Sequence, residues 1–144
     1  LQIVGDNGNL LTTLTDRTFL DSPWDLTVND QGSRAQIFVS NVLSGVVSRL
    51  DVMVSASEFK VVQKVLVATG YARRPDPSAL VLGPTGLAYD GTADVLYVAS
   101  TADNAIFAVS GAGKAVAPVN KGRIVFSDPH LMVRSGWCSR PMET

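Results

Sequence analysis

The strongest constraint on this chain is that one pattern occurs in it twice. SPWDLTVNDQGSRAQIFVSN begins at Ser22, and GPTGLAYDGTADVLYVAS begins at Gly83. Each opens on a small residue and a proline, then reaches a leucine three positions later (Leu26, Leu87). An apolar residue follows two further on (Val28, Tyr89), then a polar turn containing glycine. After the turn, Ile37-Phe38-Val39-Ser40 answers Leu96-Tyr97-Val98-Ala99-Ser100, with the closing serines matched. Apolar positions recur every second residue, as in strands whose two faces differ.

Similar alternation fills most of the chain. Residues 1–4 read as a strand, GDNG at 5–8 supplies the positive-φ residues of a hairpin turn, and NLLTTLT resumes the pattern. Further strands are expected at 24–28, 36–41, 45–52, 59–68, 85–89, 95–100, 104–110 and 122–128. Ser55 to Ala68 comes nearest to a helix, but its Val and Leu runs favour a strand.

Four short antiparallel strands repeated in tandem make a propeller blade. A blade has two apolar faces and cannot bury both alone. The expected fold is therefore all-β: a partial β-propeller of about two and a half four-stranded antiparallel blades. It would comprise a half blade at 1–15, a blade at 22–68 and a blade at 83–128. Pro23 and Pro84 lie 61 residues apart. Blades usually repeat every ~40–50 residues, so the excess is assigned to linkers near 55–58 and 69–82. A β-sandwich is the alternative.

The 144 residues suffice for one domain with a core. Net charge is −1, giving no electrostatic case for nucleic acid or an anionic membrane. No stretch approaches the ~20 apolar residues of a membrane-spanning helix. Cys138 stands alone, so neither an intrachain disulfide nor a cysteine zinc site is available. His130 is the single histidine, which leaves little material for a Ser-His-Asp triad. GAGK at 111–114 lacks the spacing of a phosphate loop and reads as a turn. No cofactor is expected.

GPTGLAYDGTADVLYVAS resembles NHL-repeat propellers, whose relatives include the gluconolactonase/regucalcin and virginiamycin B lyase groups. The resemblance covers about two repeats and the half repeat before them. It implies ligand-bearing loops around an axis and is compatible with a secreted or periplasmic location. In gluconolactonase-type propellers a metal ligand, usually Asn or Asp, follows the proline of the strand start. Trp24 and Thr85 stand there in this chain, and neither suits that role. Asp25, one residue on, reads as a turn or capping group, and Asn41, Asp103 and Asn104 read as turn residues. The lyase pattern needs an axial histidine, and His130 lies outside the repeats. A non-enzymatic interaction module is expected, with a fragment of a propeller hydrolase or lyase as the alternative.

The candidate binding surface comprises Trp24, Asp25 and Thr85 at the strand starts, with Tyr71, Arg73 and Arg74 in the proline-rich loop YARRPDP. A protein or small molecule at the axis is the expected ligand. Open blade faces imply either a place in a larger protein or association of copies that completes the ring, and a homo-oligomer is the expectation.

Residues 129–144 break the pattern and suggest a frameshifted tail. Read from third codon bases, Met132-Val133 and Met142-Glu143 must each give Gly, and Trp137-Cys138 must give Val. With chosen codons the same frame yields a Gly-Pro-x-Gly-Leu repeat start. The chain would then be a truncated propeller. A native C-terminus is the other reading, and the encoding DNA separates the two. The leading Leu1, in place of Met, suggests processing or excision.

Overall fold

A computed structural model of the chain describes residues 1–55, 58–129 and 131. The expected tail therefore lies outside the described residues, apart from Pro129 and Leu131. Thirteen strands form among the described residues. They are β1 (Gln2–Val4), β2 (Leu10–Thr13), β3 (Pro23–Asp30), β4 (Arg34–Asn41), β5 (Val46–Val54) and β6 (Phe59–Thr69). After these come β7 (Arg74–Asp76), β8 (Leu80–Leu82), β9 (Pro84–Asp90), β10 (Val95–Ser100), β11 (Ala105–Ser110), β12 (Val119–Asn120) and β13 (Arg123–Ser127). Each expected strand segment carries a strand, and the region around 59–68 is extended rather than helical.

Two larger sheets dominate. The first orders its strands β12-β6-β5-β4-β3 and the second β13-β11-β10-β9. Apart from the parallel β12–β6 pair, all neighbours are antiparallel, and neither sheet closes on itself. Two hairpins, β1–β2 and β7–β8, complete the set. The linker expected at 69–82 is thus partly a hairpin, Arg74–Asp76 against Leu80–Leu82.

The repetition extends to the irregularities. In the first sheet Pro23 pairs with Asn41 and Asp25 with Ser40, leaving Trp24 as the extra residue of a bulge. In the second, Pro84 pairs with Ser100 and Gly86 with Ala99, leaving Thr85 in the same place. A second bulge recurs too. Val67 is skipped between β5 and β6, and Val125 between β11 and β13. The register corrects one detail of the sequence match: Ser100 corresponds to Asn41, and Ser40 to Ala99. The β3–β4 hairpin is longer from Pro23 to Asn41 than its counterpart from Pro84 to Ser100, and the extra length extends the paired strands rather than the turn.

The sheets stack in one direction. Phe38, Val47, Val67 and Ala68 on one face of the first sheet share a core with Leu96, Val98, Phe107 and Val109 of the second. Leu87 and Tyr89 of β9 close over it, and the Phe38 and Tyr89 rings stack with centroids 4.7 Å apart. The other face of the first sheet presents Ile37, Val39, Leu50 and Val52. Leu1, Leu14, Phe19 and Leu20, flanking the β1–β2 hairpin, cover that face. Each fully buried side chain of this kind is worth about 1.5–3 kcal/mol, so the two clusters outweigh any single polar contact.

Polar groups align the stack. The Asp25 carboxylate accepts the Leu87 backbone N–H at 2.8 Å, tying β3 to β9. Arg49 is buried and grips Asp51 with Nε and Nη2 at 2.8 and 3.0 Å. Its Nη1 donates to the Ala112 carbonyl at 2.7 Å. Gln36 donates to both Asp51 and the Gly113 carbonyl. GAGK therefore forms a short 3₁₀ turn, Ala112–Lys114, that docks the second unit on the first.

These contacts predict the outcome of a pair of substitutions. Asp25→Ala removes a charged acceptor from the Leu87 amide and is expected to lower unfolding free energy by about 1–3 kcal/mol. Asp30→Ala removes only an exposed turn bond to Gly32 and is expected to stay within about 0.5 kcal/mol. Urea unfolding of the two variants checks the difference.

Candidate functional site

The six candidate residues separate into two environments. Trp24, Arg73 and Arg74 line one cleft of about 710 Å³, with Ser22, Leu43 and Leu80 among their neighbours. Asp25, Tyr71 and Thr85 do not line it.

Local geometry explains the cleft. The bulge at Trp24 re-aims that side chain at the start of β3, where it stays 49% exposed. Across from it the β4–β5 turn presents Leu43, also exposed. That turn closes on Gly45 at φ 67, and a Cβ there would meet the Tyr71 carbonyl oxygen at 2.5 Å. Glycine is thus required where the two loops cross. Arg73 donates Nη1 to the Ser44 carbonyl at 2.8 Å, holding the Tyr71–Arg74 segment against the turn. The β7–β8 hairpin forms the remaining wall. Asp76 accepts the Ser78 and Ala79 N–H groups at 2.8 and 3.1 Å and so tightens its bend.

Sequence reasoning missed Ser22, Leu43 and Leu80. Ser22 and Leu80 hold φ values of 56° and 65°. No residue type announces a left-handed Leu, since that conformation costs a branched side chain energy. The turn residues Asp76-Pro77-Ser78 did carry a hairpin signal.

Tyr71 departs from the expected exposed loop. It is 2% exposed, packs edge-on against Phe107 and donates its hydroxyl to the Lys121 carbonyl at 2.9 Å. Burial first, then the nearby Asp103 charge, raises its phenol pKa beyond the ordinary range. The apolar ring finds the inter-sheet core, and Arg73 and Arg74 take the solvent side. Asp25 is committed to Leu87, and Thr85 is half-buried in β9.

A second polar cluster gathers at the β10–β11 turn. Asp103 accepts the Ser100 hydroxyl at 2.6 Å, the Ala72 N–H at 3.0 Å and Lys121 Nζ at 2.7 Å. It thereby joins the segment after β6 to the second sheet. Asn104, beside it, sits at φ 50, and Asn41 is buried at the end of β4, donating to the Phe19 carbonyl at 3.1 Å. Asp103 and Asn104 are turn residues, whereas Asn41 is a strand-end residue. Among the described residues no three His, Cys, Asp or Glu side chains gather as a metal-ligating group.

Comparison with known proteins found no matching family model, no matching curated protein and no matching solved structure.

Asp103 generates a pH prediction. Burial disfavours its carboxylate, but the bonds from Lys121, Ser100 and Ala72 outweigh that and hold its carboxyl below the usual aspartate value. A depressed folded-state pKa stabilises the fold above the unfolded value, about 3.9. The contribution is lost as pH falls through the folded value. Thermal melts between about pH 6 and pH 2.5 should therefore show a falling Tm. Asp103→Asn is expected to start lower and show a shallower fall.

Proposed function

We propose that this chain is an association module: two successive blades and part of a third of an NHL-like β-propeller, completed by a second copy. Association, rather than turnover of a substrate, is its proposed activity.

One observation carries the reading. Register matches Tyr97 to Phe38, Ile106 to Val47 and Phe126 to Ala68. Phe38, Val47 and Ala68 are wholly buried beneath the second sheet. Tyr97 and Phe126, in the matching positions one sheet further on, remain 37% and 50% exposed. Gly86, Ala88, Ala99 and Ala108 pair across the strands between them, so small residues separate the larger apolar ones, with Arg123, paired to Ala108, at the border. The outward-looking face of the second sheet thus repeats the chemistry of the face that carries the second sheet.

A second copy is the occupant that fits. At the other end of the stack the β1–β2 hairpin supplies two strands where the larger sheets supply five and four, and it exposes Val4, Leu10 and Leu11. A face at one end and an incomplete layer at the other make a heterologous, head-to-tail contact, which can close as a ring.

Magnitudes set the expected strength. Tyr97 and Phe126 are 37% and 50% exposed and Ile106 is half-buried, so covering what remains of these three contributes roughly 2–4 kcal/mol in all. Lost translational and rotational freedom opposes this by about 4–15 kcal/mol. Association is therefore expected to be concentration-dependent. Light scattering should show mass rising with protein concentration. Tyr97→Arg with Phe126→Arg should give a folded monomer with unchanged circular dichroism. A wild-type monomer at about 1 mM, a concentration that reveals even weak contacts, would refute the proposal.

A further inference from the structure

We infer that the Trp24 cleft is a binding site for a small organic acid with an apolar body, such as an aromatic or branched carboxylic acid. The inference is independent of self-association.

Size supports a small molecule. The cleft holds about 710 Å³, within the range of roughly 300–1,000 Å³ typical of ligand pockets. Its body is largely apolar, with Trp24, Leu43, Leu80 and Val81 among the lining residues. Three of these are large hydrophobic side chains left exposed, Leu80 at 79%. A folded chain rarely gathers exposed Trp and Leu around one concavity without a partner for them.

Charge narrows the class. Arg73 and Arg74 are the cleft's only ionisable side chains, and both are cationic. Neither takes part in any ion pair among the described residues. Arg73 spends one donor on the Ser44 carbonyl. A guanidinium has five donors in a planar fork, so the pair retains ample capacity for one carboxylate. With no acidic group in the lining, a cationic ligand has no counter-charge and a neutral apolar one leaves the arginines unused. A carboxylate on an apolar body satisfies both walls.

Backbone strain points to the same place. Five non-glycine residues among the described ones adopt positive φ: Ser22, Leu80, Asp94, Asn104 and Lys121. Two of them, Ser22 and Leu80, line this cleft. Asp94 and Asn104 are residue types that tolerate the conformation locally, whereas Leu80 gains nothing from it. Leu80 opens β8 at the cleft wall and stays 79% exposed. Strain retained at a concave, partly apolar site is a feature of ligand clamps.

Trp24 provides the readout. Trp137→Phe leaves Trp24 as the single tryptophan. Phenylbutyrate and its uncharged carboxamide are titrated in parallel, following Trp24 fluorescence. The carboxylate should give a saturable change, with the carboxamide at least about tenfold weaker, as expected for loss of a charge-assisted bond. Arg74→Gln, at an exposed position, should fold normally and weaken the carboxylate by about tenfold. The Tyr97→Arg, Phe126→Arg variant should bind as the parent does, so a failure of self-association leaves this result unchanged. Equal binding of acid and amide, an undiminished affinity in Arg74→Gln, or no saturation up to about 10 mM would overturn the inference.

Discussion

The packing of the second sheet's β9 and β10 against the face of the first sheet that carries Phe38 is the contact on which the rest depends. Neither sheet can bury both its faces alone. The Phe38–Tyr89 stack supplies shape, and the Val47, Val67 and Val98 layer supplies area. Polar bonds then fix the register of the stack. Asp25 holds β9 at Leu87, mid-strand, and Gln36 and Arg49 hold the turn after β11. Breaking the Arg49–Asp51 pair on one side would strand a buried charge, which costs far more than an exposed pair is worth. The arrangement is directional: the first sheet gives one face to the residues flanking the β1–β2 hairpin before it and the other to the second sheet after it.

Much of this was legible in the sequence because the repeat is written in residues with narrow conformational meaning. Pro23 and Pro84 mark strand starts, and glycine-bearing turns separate alternating runs. What was not legible is instructive. The matched bulges at Trp24 and Thr85 depend on which residues pair across strands, and Ser40 and Ser100 looked equivalent only because they are the same residue type. Tyr71 sat among arginines and prolines, a composition that reads as solvent-facing, yet its ring is drawn into the core beside Phe107. Asp103 announced a turn correctly. Its bonds to Ala72 and Lys121 cross between units, and no local pattern encodes such contacts.

The candidate surface was legible in a similar, partial way. Trp24, Arg73 and Arg74 stood out as residue types that recognise partners, and they share one cleft. The walls that join them, Leu43 and Leu80, are ordinary apolar residues in sequence. Only the β4–β5 turn and the β7–β8 hairpin bring them to the same concavity. Asp25, singled out beside Trp24, points its carboxylate at the neighbouring sheet and serves the stack. One bulge therefore turns adjacent residues to different tasks, packing for one and exposure for the other.

The stacking direction itself is open to a direct measurement. In a proton cross-relaxation spectrum of the labelled chain, the rings of Phe38 and Tyr89, with centroids 4.7 Å apart, should give strong mutual cross-peaks. The Tyr71 ring should likewise reach Phe107. Cross-peaks from Tyr89 to the Ile37, Val39 and Leu50 face, with none to Phe38, would contradict the account.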